Sequence, residues 1–302
     1  MPKVSVIGVP SSAGSYAAGQ EQAPRAVRAA GLRAALSDRG VDVDDLGDLP
    51  EQVWRPDPAR PLAQNVVEVA ETMSALRARL APVLADRSGR VLVLGGNCTL
   101  ALAVVAALRD VGEVPALLYV DRHLDLNTPA TTTDGALDWM VLAHAFALPG
   151  SVDEVLDVLG PRPLLTPSQV VVLGADLDKT TDGERRHAAD LNLTVVSSQQ
   201  LAAEPVAATR TALDRLPGGA LAVHIDVDVL DFTDAPLAED TAGRNSGPSL
   251  AALALGLAEA ARDPRTVVFS VGELNPTRSR GLPTAVPRFV EVLADTLATL
   301  PT

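Results

Sequence analysis

The feature that most constrains this chain is a series of short apolar runs recurring along its whole length. Val4–Val9, Arg90–Leu94, Ala116–Val120, Gln169–Leu173, Leu193–Val196, Leu221–Ile225 and Thr266–Val271 are rich in Val, Leu and Ile, and several are continuous rather than alternating. A strand that stays apolar on successive residues is covered on both faces, as in a parallel sheet. Between these runs lie Ala-, Leu- and Arg-rich stretches with helical character, such as Leu62–Ala85, Thr99–Leu108, Leu250–Arg262 and Arg288–Leu297. Alternating β and α segments predict an α/β fold with a doubly wound, mainly parallel sheet. The Pro-rich, polar segment from Leu46 to Pro61 is too short for a domain linker. No internal repeat or composition break divides the chain, so a single domain over residues 1–302 is expected.

Composition narrows the partners. With 302 residues, 47 % of them apolar, the chain can bury a substantial core. Its net charge of −13, with no local Lys/Arg cluster to offset it, repels a nucleic-acid backbone and suits cationic substrates or metal ions. The single cysteine excludes an intramolecular disulfide. The N-terminal residues lack the charged start, the longer apolar run and the small-residue cleavage site of a signal peptide. No window approaches the roughly 18 uninterrupted apolar residues of a membrane span, so the expected location is cytoplasmic, with no membrane partner.

In a doubly wound sheet, ligands bind beyond the carboxyl ends of the strands. The chemistry-bearing residues follow that rule. After Ala116–Val120 comes Asp121-Arg122-His123-Leu124-Asp125, and after Leu221–Ile225 comes Asp226-Val227-Asp228. Side chains alternate across a strand, so Asp121, His123 and Asp125 can point to one side while Arg122 and Leu124 point away. A lone D-x-D is most often a solvated turn. Four carboxylates and an imidazole converging from two strand ends cannot all be ionised in a cleft without compensating cations. Oxygen-rich ligation with one imidazole suits Mn²⁺ better than a thiolate-type zinc site. A third run, ending at Leu94, leads into Gly95-Gly96-Asn97-Cys98-Thr99, where two glycines permit a tight turn before a helix.

These segments together resemble the ureohydrolases, the arginase and agmatinase family, over nearly the full chain. Gly8-Val9-Pro10 with Ala23-Pro24-Arg25-Ala26-Val27-Arg28 is similar to the family's N-terminal segment. Gly95 to Thr99 resembles G-G-D-H-S, and Asp121 to Asp125 resembles D-A-H-x-D. Asn127 to Thr133 is similar to an arginase stretch, His224 to Asp231 to S-x-D-x-D-x-x-D, and Gly272-Glu273-Leu274-Asn275-Pro276 to an E-x-N-P segment. The resemblance implies a three-layer α/β/α fold with about eight strands and two Mn²⁺ ions per chain. One metal is implied on Cys98, Asp121, Asp125 and Asp226, the other on Asp121, His123, Asp226 and Asp228, with Asp121 and Asp226 bridging. It further implies a metal-held hydroxide as nucleophile, oriented by Asp125, and Glu273 as the guanidinium-binding carboxylate. Asn127 and Asp178 are implied contacts to the amino-acid end of a small guanidino substrate. Relatives are often trimers or hexamers, and a monomer stays open.

Two departures bear on function. Cys98 stands where the family has a metal-binding histidine, and Asp138, followed by Trp139, stands where arginases carry a proton-shuttle histidine. Asp134 and Ala136 also replace polar contacts. A thiolate donates more charge to a metal than imidazole does, and an ordinary Asp is ionised at neutral pH and is a poor general acid. The other histidines, His144, His187 and His224, offer no clear substitute. The pairing of Cys98 with Asp138 is similar to the branch of the family that hydrolyses Nω-hydroxy-L-arginine to hydroxyurea and L-ornithine. That implies a hydroxyguanidine substrate. The alternatives are an arginase or other guanidino-acid hydrolase, and a degenerate, non-catalytic binder of metal or guanidine.

Overall fold

The computed structural model describes residues 2–238 and 246–300. Eight strands form one sheet: β1 Lys3–Gly8, β2 Asp42–Asp48, β3 Arg90–Leu94, β4 Pro115–Val120, β5 Val170–Ala175, β6 Thr194–Ser197, β7 Ala220–Asp226 and β8 Thr266–Gly272. Their order is β2-β1-β3-β8-β7-β4-β5-β6, and every neighbouring pair is parallel. Seven of the eight coincide, within one or two residues at each end, with the apolar runs. The eighth, β2, is the acidic sequence DVDDLGD at the sheet edge, mostly exposed and paired only with β1.

The helices are α1 Ala23–Ala29, α2 Leu32–Asp38, α3 Val66–Asp86, α4 Leu100–Asp110, α5 Val141–Ala145, α6 Asp153–Leu159, α7 Asp182–Asp190, α8 Ser198–Ala203, α9 Pro205–Arg215, α10 Leu250–Arg262 and α11 Ala285–Ala298. They divide between two apolar cores. Residues of α1, α2 and α8 to α11 pack on one face of the sheet. Residues of α3 to α6 pack on the other, with Ala188 of α7 at its margin. The strands serve both cores by alternation: in β4, Ala116, Leu118 and Val120 face the first, and Leu117 and Tyr119 the second. This is the three-layer arrangement that continuous apolar strands require. No helix among the described residues is long and apolar enough to cross a membrane.

The order of the strands positions the site. The segments carrying Cys98, Glu273, Asp226 and Asp121 follow β3, β8, β7 and β4, which are consecutive in the centre of the sheet. The turn after β3 is stitched to the end of β8, with Gly95 N–H donating to Val271 O at 2.8 Å and Glu273 N–H to Gly96 O at 2.7 Å. Gly96 is required by crowding: a Cβ there would lie 1.5 Å from the Ser11 carbonyl oxygen.

Candidate metal centre

Two overlapping groups of ligand atoms lie beyond these strand ends. Cys98, Asp121 and Asp226 form one, and Asp121, His123 and Asp228 the other; within each, the atoms lie within 4.8 Å of one another. Asp121 belongs to both. Cys98, Asp121, Asp125, Asp226 and Asp228 are each 5 % exposed or less. Cys98 Sγ lies 3.2 Å from Asp226 Oδ2, and its backbone N–H donates to Glu273 Oε1 at 3.0 Å. His123 Nδ1 lies 3.0 Å from Asp228 Oδ2.

The carboxylates do not converge by strand alternation, as the sequence suggested. Strand β4 stops at Val120 and β7 at Asp226. Instead, Asp121 Oδ1 accepts the His123 N–H at 2.6 Å, and Asp226 Oδ1 accepts the Asp228 N–H at 2.7 Å. Each motif is an Asp-headed turn that brings residues i and i+2 to one side after the ladder has ended. Leu124 and Arg122 are buried away from the cluster, and the Arg122 guanidinium donates to Ser246 O and Oγ at 2.8 and 2.9 Å. Cys98 lies in the turn before α4 rather than in the helix.

Asp125 arrives by a separate route. It has a left-handed backbone, φ 48°, and the buried Tyr119 hydroxyl donates to its Oδ2. Glu273 is likewise left-handed, φ 63°. Such a conformation costs of order 1–3 kcal/mol in a non-glycine residue and tends to collect at functional sites. Tyr119 stacks on His224 with ring centroids 5.0 Å apart, and His224 Nδ1 lies 2.9 Å from Ser270 Oγ. Burial holds the His224 pKa down to about 3, so this histidine is a neutral packing group beneath the site. His144 and His187 bind backbone carbonyls of Met140 and Leu126.

The electrostatics favour a cation. Burial, then repulsion from Asp228, pushes the Asp121 carboxyl up to about 7. Burial first, and neighbouring carboxylates second, also pushes Asp125, Asp226 and Glu273 well above the usual carboxylate range; for Glu273 the leading charge is Asp138. Burial and Asp226 push the Cys98 thiol up as well. Asp121 Oδ2 is buried with no hydrogen-bond partner among the described residues. A buried carboxylate oxygen left unpaired is costly unless a cation meets it. The donor set of carboxylates, one imidazole and one thiol, with an orphaned acceptor at its centre, fits divalent cations.

Around the cluster, the other sequence candidates separate. Asn127 is buried, and its Oδ1 accepts from Thr131 Oγ1 and Thr181 Oγ1, both at 3.1 Å. Asp178 is exposed in a separate surface cleft of about 340 Å³ with Asp176, Ser197, Ser198 and Ser246. Asp138 is not the solvated acid its residue type suggests. It is 6 % exposed, and burial lifts its pKa well above the usual range. Sequence reasoning missed three buried groups: Tyr119, and the pair Ser15 and Gln20. Gln20 Nε2 donates to Glu273 Oε2 at 2.5 Å and to Ser15 Oγ at 3.0 Å. No motif marks them. The only signal was a polar residue embedded in an otherwise apolar segment, which Tyr119 in β4 shows.

An all-parallel sheet that gathers buried carboxylates, an imidazole and a thiol beyond its central strands defines a class, the three-layer α/β metallohydrolase fold. The chain belongs to the arginase family, whose sequence profile matches residues 2–289. It is 29 % identical to the arginase of Bacillus subtilis over 241 residues, 77 % of each chain. It is 31 % identical to human arginase-1 over 173 residues, a match that spans 57 % of this chain and 53 % of the human protein's length. The arginase of Bacillus caldovelox superimposes with a TM-score of 0.85 over 98 % of both chains at 23 % identity, a likeness of fold.

Proposed function

We propose that this protein is a metal-dependent amidinohydrolase that cleaves Nω-hydroxy-L-arginine to hydroxyurea and L-ornithine. The observation that carries the reading is the pair of ligand groups sharing Asp121, built from buried acids that repel one another and whose charges divalent cations would balance. Cys98, Asp121, Asp125 and Asp226 would hold one Mn²⁺, and Asp121, His123, Asp226 and Asp228 the other. When bound, such ions supply the positive charge that lets water act as a nucleophile at neutral pH and polarise the carbon it attacks.

The chain's own residues do the remaining work. Glu273, held by Gln20 and the Cys98 N–H, offers a fixed carboxylate to the planar guanidine, which pairs with it through parallel N–H donors. That contact fixes the guanidine carbon above the carboxylate cluster. Asp125, gripped by Tyr119, presents its other oxygen toward the attacking water and orients it. Addition of water to the guanidine carbon, then cleavage of its bond to the side-chain nitrogen, gives hydroxyurea and the free amine of ornithine. Asn127 and Asp178 would bind the α-carboxylate and α-amino groups. An N-hydroxyguanidine is much less basic than a guanidine, which relaxes the demand for a strong proton donor.

The test is turnover of Nω-hydroxy-L-arginine, L-arginine and agmatine side by side with Mn²⁺, with products separated chromatographically. Hydroxyurea and ornithine should form fastest. Faster release of urea from L-arginine would instead assign an arginase, and metal binding without turnover of any of the three a non-catalytic binder.

A further inference from the structure

Buried polar side chains lie between two carboxyls of the site, Glu273 and Asp138. Ser15 Oγ accepts from Gln20 Nε2 at 3.0 Å, and the Ser15 side chain favours the charged form of Asp138. The same Gln20 nitrogen donates to Glu273 Oε2 at 2.5 Å. Ser15, Gln20 and Asp138 are 0, 1 and 6 % exposed. Asp138 is the strongest charge acting on Glu273. Asp138 is placed by main-chain bonds as well: its N–H donates to Gly14 O at 3.0 Å, and the neighbouring Trp139 ring stacks on His123 at 5.3 Å.

Two acceptors among these side chains are left over. Asp138 Oδ1 and Gln20 Oε1 are both buried, with no hydrogen-bond partner among the described residues. Both hydrogens of the Gln20 amide are already committed to Ser15 and Glu273, so its oxygen can only accept. Buried acceptors without donors cost about 1–3 kcal/mol each, and more for a charged one. They persist where a ligand completes them.

We propose that Asp138 and Gln20 are substrate-recognition residues that accept hydrogen bonds from the distal end of the guanidine, with Asp138 Oδ1 taking the N-hydroxyl O–H. This rests on the hydroxyguanidine reading above and names what in the site selects it. Glu273 satisfies a guanidine's parallel N–H donors. One further oxygen-borne proton needs one further acceptor, and the buried, unpaired Asp138 Oδ1 supplies it. A site built to bond a substrate hydroxyl discriminates strongly against the analogue lacking it, because its acceptor is then left unpaired.

The experiment compares kcat/KM for Nω-hydroxy-L-arginine and L-arginine in the Mn²⁺-loaded wild type, Asp138→Ala and Ser15→Ala, with metal content and thermal unfolding measured on the same samples. Asp138→Ala should lose the preference for the hydroxylated substrate by roughly tenfold or more, the size of one hydrogen bond to a charged acceptor. Its metal content should stay unchanged and its melting temperature equal or higher, because the variant removes a buried unpaired oxygen. Ser15→Ala removes the acceptor that holds the Gln20 amide and leaves Asp138 in place, and should lose the preference in part. If the wild type prefers hydroxyarginine and Asp138→Ala keeps that preference, this inference fails alone. If Asp138→Ala lowers melting temperature and both substrates equally, the residue is structural and the inference fails. If the wild type prefers arginine, the function proposed above fails and this inference with it.

Discussion

Stripping the cations from this protein should make it progressively less stable as pH rises. Asp121 is the clearest contributor, since its carboxyl moves from 3.8 to about 7 in the folded, metal-free chain. The folded state therefore holds a proton between those values that the unfolded chain has released. Stability falls with pH wherever the native state binds more protons than the unfolded one. The cost is absent below about pH 4, grows through the interval, and is complete above about pH 7. Each pH unit carries about 1.4 kcal/mol per proton, so Asp121 alone accounts for about 4 kcal/mol. Asp125, Asp226, Glu273 and Asp138 shift in the same direction and steepen the loss. Against a typical total stability of about 5–15 kcal/mol, the chelated protein should be marginal at pH 8. Thermal unfolding between pH 5 and 8, with EDTA and with Mn²⁺, reads this directly. With Mn²⁺ the loss should vanish, because ionised ligands are the form that binds. A chelated protein as stable at pH 8 as at pH 5 would refute the reasoning.

Tyr119→Phe removes the buried hydroxyl that donates to Asp125 and favours its charged form. Mn²⁺ affinity should fall by about 1.5–3 kcal/mol at neutral pH and recover partly at higher pH, measured by metal titration at several pH values. Glu273→Gln should lower kcat/KM about 10- to 100-fold while metal content stays at the wild-type level. Gly96→Ala forces a Cβ against the Ser11 carbonyl and should destabilise by about 3 kcal/mol or more in denaturant unfolding. Gly218→Ala, where a Cβ meets nothing within 4 Å, should stay within about 0.5 kcal/mol of wild type.

Much of this protein was legible in its sequence because burial on two faces leaves a plain mark. Every central strand is a continuous apolar run, and the acids of the site sit at the ends of three of them, with Cys98 behind a fourth. Strand β2 was illegible for the opposite reason. At the sheet edge it needs no apolar face, so DVDDLGD looks like a polar turn while its backbone pairs with β1. The site shows the same division. Cys98, Asp121, His123, Asp226 and Asp228 are drawn together where their motifs suggested, but by Asp-headed turns in place of pleat alternation. Asp178 is exposed and lines a surface cleft beyond β5. Gln20 and Ser15 reach Glu273 and Asp138 across more than 100 residues of chain, a proximity that only the closed sheet creates. Asp138 illustrates the limit most clearly, since residue type suggested an ionised acid, and tertiary packing buries it and raises its pKa.

The account turns on a centre that holds two cations with Cys98 among the ligands. Anomalous diffraction at the manganese edge, on crystals grown with Mn²⁺, tests this most directly. Two peaks should appear per chain, flanking Asp121, with one bonded to Cys98 Sγ. A single peak, or two peaks with Cys98 Sγ outside bonding distance of both, would contradict the account.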